Sequence, residues 1–225
     1  MTSRRSNKPE ELVQRRKLSE AQQVEILDLI SLKRPFYFGF RLPYKNCKPF
    51  LWTRDFVLKL IMKKCEVQLT ENVLVNYLTR WGFPKLNNRK RKQIPCNKDT
   101  REWLNRHLVK DENAQIYWIG HIESINLQPC KSVKSNKFTF VPVFSKQGRL
   151  NWFTVRGNFS EERQVMLLNS LLRQSHTKIF IIRKNEKHFS NRTVENWLYN
   201  KEKRIEIFPL TESMLYSTSP PLTLS

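Results

Sequence analysis

Hydrophobic and polar residues alternate with two different periods along this chain, helical first and then strand-like. Ser19-Glu20-Ala21-Gln22 has capping-box spacing and predicts a helix from Ser19, with Val24, Leu27 and Ile30 on one face. Arg34 to Phe50 holds three prolines and several aromatics and reads as an irregular connection. A second helix is predicted from Thr53, with Phe56, Val57, Leu60 and Ile61 inward and Arg54, Lys59, Lys63 and Lys64 outward. A third starts at Thr70, with Leu74, Tyr77, Leu78 and Trp81 at i, i+3, i+4 and i+7. Gly82-Phe83-Pro84 stops it.

Further along, Asp99-Thr100-Arg101-Glu102 is another capping box, opening a helix to about Val109. Three strand-like runs follow, Ile116–Ile119, Phe138–Phe144 and Leu150–Val155, with a hairpin signal at Lys146-Gln147-Gly148-Arg149 between the last two. A helix from Ser160 to about Arg173 is expected to bury Val165, Leu168, Leu171 and Leu172. Then come a strand at Lys178–Ile182, a helix from Ser190 carrying Val194, Trp197 and Leu198, and a strand at Ile205–Phe208. The order β-β-β-α-β-α-β predicts a mixed sheet with helices on its faces, the order of the ribonuclease-H-like fold. The expected class is α/β plus all-α. A helix-turn-helix (winged-helix-like) domain precedes a ribonuclease-H-like mixed sheet that lacks its last helix. The expected divisions are a basic flexible arm over 1–18, the helical DNA-binding domain over 19–84, and a basic linker over 85–98. The sheet domain covers 99–212, and a disordered tail covers 213–225.

Composition narrows the partners. Lys+Arg number 41 against 20 Asp+Glu, a net charge of +21 over 225 residues. Self-repulsion of that size opposes folding, so a polyanion is the expected partner, double-stranded DNA first and an acidic membrane surface second. Hydrophobic residues at 39% suffice for a packed core. No run reaches the ~18 apolar residues of a membrane span, and the start has no apolar segment of a secretory signal. The expectation is a soluble cytoplasmic protein without a membrane partner, nucleoid-associated if bacterial. Cys47, Cys65, Cys96 and Cys130 are scattered, which reads as reduced structural thiols with no metal site.

Short helices in succession, the last two a few residues apart, predict a helix-turn-helix. The outward face of the third carries Glu71, Asn72, Val75, Asn76, Thr79 and Arg80. Amide, hydroxyl and guanidinium groups of this kind read base edges in a major groove; the same residues also suit an ordinary solvated face. The candidate DNA contacts are Arg54, Thr70, Asn72, Asn76, Thr79 and Arg80. To these the linker adds Lys85, Arg89, Lys90, Arg91 and Lys92, a run suited to phosphates or to service as a solvated spacer.

Several blocks, in order, resemble the mariner superfamily of DNA transposases, in its bacterial insertion-sequence branch. They are Pro35–Phe40 with Leu51-Trp52-Thr53-Arg54, then Leu69-Thr70 and Tyr77–Gly82, then Ile116-Tyr117-Trp118 and Gln147–Leu150. Lys178–Ile182, Trp197-Leu198 and Ile205–Phe208 complete the set, which spans about Lys17 to Leu210. The resemblance implies magnesium-dependent cleavage and transfer of DNA phosphodiesters, with two metal ions held by three carboxylates. It also implies an aspartate closing the first strand, another closing the fourth before an asparagine, and a third acid on a helix after the last strand. Here Gly120 and Lys184 stand at the first two positions, and the third helix is not evident; no aspartate follows Asp111. By the same resemblance the chain starts within the basic linker after a first helix-turn-helix, at Gln14-Arg15-Arg16-Lys17.

The resulting expectation is a DNA-binding relative without cleavage activity, with no catalytic residue, no metal and no cofactor. An alternative is an active enzyme using magnesium on relocated glutamates such as Glu123, Glu186 or Glu212. A further alternative is a regulatory remnant, pairing as a homodimer or with a related intact transposase. His121 and His188 follow the two strand ends and read as polar strand-end residues.

Overall fold

The computed structural model describes residues 18–42, 47–84, 113–146, 148–184 and 188–210, together with 102, 105 and 106. The expected arm, linker and tail therefore lie outside the described residues, as does most of the helix expected after Asp99.

Helix α1 spans Glu20–Leu32, and its capping box forms as expected. Ser19 Oγ accepts from the Gln22 amide at 3.2 Å, and the Gln22 side chain accepts from the Ser19 amide at 2.9 Å. Its buried residues are Ile26, Leu27, Ile30 and Ser31, so Val24 is only half-buried and the inner face is rotated from the expected one. A 3-10 turn, Pro35–Phe38, leads through the connection to α2 (Arg54–Cys65), capped by Thr53 and burying Phe56, Val57, Leu60 and Ile61. After five residues comes α3 (Glu71–Arg80), capped by Thr70 and burying Leu74, Tyr77 and Leu78.

Gly82 ends this helical region for two reasons. Its φ is +95°, and a Cβ there would lie 2.1 Å from the Asn126 carbonyl oxygen. The chain therefore needs glycine both to turn and to let the end of α3 touch the sheet.

The sheet has six strands. They are β1 (Gln115–Ile119), β2 (Glu123–Leu127), β3 (Asn136–Ser145), β4 (Leu150–Arg156), β5 (Ile179–Lys184) and β6 (Ile205–Leu210). The sequence pattern predicts five; β2 is the addition. Its Glu-Ser-Ile-Asn-Leu run turns only Ile125 and Leu127 inward, too weak an alternation to separate from a loop. Ten-residue β3 pairs with β4 along one edge. Its other edge is shared, β2 pairing with Asn136–Phe140 and β1 with Val143–Ser145. Parallel β5 and β6 then extend the sheet beyond β1. Their crossovers are α4 (Glu161–Arg173) and α5 (Arg192–Tyr199). This mixed α/β topology is compatible with the ribonuclease-H-like expectation. In α4 the buried apolar residues are Leu167, Leu168 and Leu171, with Val165 and Leu172 half-buried. Asn191, not Ser190, caps α5, accepting from the Val194 amide at 2.9 Å.

Each face of the sheet carries a core. On one, α1–α3 pack over Ile125, Leu127, Phe138, Phe140 and Trp152. On the other, α4 and α5 pack over Val141, Val143, Phe153, Val155, Ile179 and Ile181. The first core spans the division expected at 85–98, because helices and sheet share it. Trp52 and Trp152 exchange backbone hydrogen bonds at 3.0 and 2.9 Å, which adds a bridge to the edge strand β4. Among the described residues, no helix is long and apolar enough to cross a membrane. Cys47, Cys65 and Cys130 are free thiols, and burial with Glu25 nearby pushes the Cys65 thiol above its ordinary range.

Candidate nucleic-acid interface and strand tips

Helix α3 turns Leu74, Tyr77 and Leu78 into the core, so its opposite side faces solvent. Asn72, Asn76, Thr79 and Arg80 are all exposed, as expected. The Arg80 guanidinium lies 4.5 Å from the Tyr77 ring centroid, an arrangement that restrains its side chain beside the two asparagines.

Two other expected contacts have structural work. Thr70 accepts from the Val73 amide at 3.5 Å as the helix cap. Arg54, only 15% exposed in its side chain, pairs with Glu71 at 2.5 Å and so ties α2 to the first turn of α3. Of the outward cations predicted on α2, Lys59 pairs with Asp55 at 2.8 Å and Lys63 bonds the Phe38 carbonyl at 2.9 Å. Lys85, Arg89, Lys90, Arg91 and Lys92 lie outside the described residues.

The strand tips are set by register. β1 and β5 run parallel with Trp118 opposite Ile182 and Ile119 opposite Arg183, and Gly120 and Lys184 each come directly after that last pair. Gly120 is buried, and its amide donates to the Pro142 carbonyl at 2.9 Å. A two-magnesium site needs hard oxygen donors converging from separate elements. Glycine offers no side chain and lysine offers a cation, so the donors at these positions do not fit magnesium.

Glu123 does not sit at the same place. It pairs with Phe140, two residues along β3 from the Pro142 that anchors Gly120. That step is ~7 Å, more than a ligand can be displaced. Glu186 and Glu212 lie outside the described residues.

Other groups at the tips make structural contacts. The His188 ring packs edge-on against Phe159 with centroids 5.6 Å apart, and His121 is exposed. Arg183 is 7% exposed; its Nη2 donates to Ser190 Oγ at 2.8 Å, and its guanidinium is 5.9 Å from the Phe189 ring centroid. Phe189 adopts φ 65°, held by its amide donating to Gln164 Oε1 at 2.6 Å. Among the described residues, no three His, Cys, Asp or Glu side chains cluster.

Sequence reasoning missed a second basic surface, at Arg34 and Arg163, because Arg34 falls in the stretch read as an irregular connection. Its signal was the interleaving of Arg34 with Phe36 and Tyr37.

No family model matches the chain, and no curated protein does. Among solved structures the chain is similar to the crystal structure of the Mos1 Strand Transfer Complex, with a TM-score of 0.34 and 14% identity. That match covers 90% of this chain and 61% of the other. A superposition at that score fixes neither topology nor function, so both rest on strand order and on side chains.

Proposed function

We propose that this chain is a DNA-binding, transposase-like protein that has lost phosphodiester cleavage and strand transfer. Helices α2 and α3 act as a helix-turn-helix whose Asn72, Asn76, Thr79 and Arg80 meet the duplex. The basic linker over 85–98 follows the phosphates, and the ribonuclease-H-like sheet serves as a scaffold.

The observation that supports the loss of chemistry is that Gly120 and Lys184 each directly follow the last paired residues of β1 and β5, Ile119 and Arg183. Lysine brings a positive charge to a position where the resemblance would set dications, and like charges repel. Among the described residues, no cluster of carboxylates stands ready to offset that repulsion. The net charge of +21 supports the DNA partner.

Binding to blunt duplex DNA across a salt series tests the reading. Neutralising ~6 phosphates gives a log–log slope near −5; a flat response would dismiss phosphate-dominated binding. Nicking assays with magnesium or manganese test the loss of chemistry, and the expected result is no product. Metal-dependent nicking abolished by Glu123→Gln would establish the alternative, an enzyme on a relocated glutamate.

A further inference from the structure

A ladder of rings and guanidinium groups runs along the connection between α1 and α2 and onto α4, away from the outer face of α3. Arg173 lies 5.7 Å from the Phe50 ring centroid. Phe50 is 4.7 Å from Phe36, and Phe36 is 4.1 Å from Tyr37. The ladder is held by backbone bonds: the Phe36 amide donates to Pro49 at 3.0 Å, and the Tyr37 amide to Arg34 at 3.1 Å. At its end Tyr37 is 65% exposed, an unusual position for a ring already packed against another aromatic.

Arg34 sits beside this ladder. Its guanidinium is 3.9 Å from the Phe153 ring centroid. Nη1 donates to the Thr154 carbonyl at 3.2 Å, and Nη2 points at Met166 Sδ at 3.7 Å, a weak acceptor. Burial first, and then the positive charge of Arg163, lower its pKa to about 10, against a smaller opposing influence of Tyr37. A guanidinium remains charged under ordinary conditions, so the shift marks a buried cation beside a second cation. Among the described residues, Arg34, Arg163 and Arg173 are in no ion pair. Arg163 acts electrostatically on Glu162, whose carboxylate is engaged by Ser160 Oγ, donating at 2.6 Å.

Unpaired arginines flanking an exposed stacked ring form a chemically specific surface. The cations attract phosphates, and the open face of a tyrosine accepts an unpaired base, whereas paired bases in a duplex hide their faces. The geometry points to a second DNA site here, separate from α3 and selective for single strands. In it Tyr37 stacks a base, Arg163 and Arg173 hold the backbone, and the buried Arg34 adds its positive charge from beneath. The choice of polymer rests on the DNA-binding reading above; the geometry of the site does not.

Fluorescence anisotropy of the full chain with a labelled short oligothymidylate tests it. Salt-sensitive binding is expected, weakened roughly tenfold by Tyr37→Ala and preserved in Tyr37→Phe. Arg163→Gln and Arg173→Gln are each expected to flatten the log–log salt slope by about 0.7. Circular dichroism melting confirms that these exposed or half-buried substitutions leave the fold intact. Asn76→Ala on α3 leaves oligothymidylate binding unchanged. The proposal is overturned if the oligothymidylate does not bind, if Tyr37→Ala binds it as well as the wild type, or if an oligouridylate binds more tightly. Blunt duplex binding, measured in parallel, reports on α3 and the basic linker: its absence beside a Tyr37-dependent oligothymidylate signal strikes the proposed duplex-binding function and leaves this site standing.

Discussion

The two cores on either side of the sheet are built differently. Under α4 and α5 the filling is mostly aliphatic, with Leu167, Leu168, Leu171, Ile179, Ile181 and Ile205 fully buried or nearly so. A polar residue there, Gln164, makes three hydrogen bonds: Nε2 donates to the Phe159 carbonyl, and Oε1 accepts from the Phe189 amide and Asn191 Nδ2. Under α1–α3 the filling is richer in aromatics, with Trp52, Trp81, Trp152 and Phe140 among the largest buried side chains. There hydrogen bonds pin separate elements together. Trp52 Nε1 donates to Lys33 at 3.0 Å, Trp81 Nε1 to Gln23 at 3.2 Å, and Thr154 Oγ1 to Ile30 at 3.2 Å. Crossover helices are bound to their sheet by chain connectivity, so oily contact suffices. The helices before the sheet need directional bonds to hold one orientation. Helix α3 is thereby fixed relative to the strand tips and does not swing on a tether.

The largest expected effect tests that fixation. Trp152→Ala should destabilise by about 3–5 kcal/mol, as for other buried aromatic truncations. It should shift one cooperative transition in which helices and sheet melt together. Two calorimetric transitions, with only the first moved, would mean that the aromatic core belongs to the helices alone. Trp152→Phe offers a sharper comparison. Trp152 Nε1 is buried without an acceptor, whereas Trp52 Nε1 has the Lys33 carbonyl. Trp52→Phe should therefore cost about 1 kcal/mol more than Trp152→Phe, read from urea midpoints at unchanged slope.

Gly82→Ala comes next, at about 3 kcal/mol. It adds a side chain at φ +95° and drives a methyl group into the Asn126 carbonyl. A cost below about 1 kcal/mol would indicate that the end of α3 stands clear of β2.

The legible parts of this molecule are those in which period and burial agree. The faces of α2 and α3 follow from their spacing, because each helix has one buried side. Helix α1 was harder to read, since contacts with both the other helices and β4 widen its inner surface to include Ile26. Strand β2 was invisible because its pairing is decided by the length of β3, a non-local fact. Gly120 and Lys184 were legible as identities, but their place directly after the last β1–β5 pair needed the parallel register of β1 and β5. The surface around Arg34 joins residues more than a hundred positions apart, of which the local pattern shows only Arg34, Phe36 and Tyr37.

Thr70→Ala separates a structural from a recognition role. The cap bond at 3.5 Å is long, so the expected loss is about 0.5 kcal/mol, at the low end for a helix cap. Duplex affinity, measured below the melting range, should remain within about twofold, since the hydroxyl is occupied by the Val73 amide. A tenfold loss of affinity without loss of stability would return Thr70 to the DNA-reading set.

An equally small stability effect, at Glu71, carries the sharpest functional consequence. Glu71 is 57% exposed in its side chain and pairs with Arg54, so its neutralisation should cost only about 0.5 kcal/mol. Yet Glu71 is the acid in the first turn of α3, on the side expected to meet phosphates. Glu71→Gln removes a negative charge from that side and frees the Arg54 guanidinium, two changes of the same sign for a polyanion. Duplex DNA should bind several-fold more tightly at low salt, and the log–log slope should steepen by up to about 0.9, one further phosphate contact. Oligothymidylate binding at Tyr37 should not change. If Glu71→Gln strengthens both alike, the gain comes from net charge and not from α3. If it strengthens neither, α3 is not the face that meets DNA, and the pair formed by Arg54 and Glu71 is only a strut between two helices.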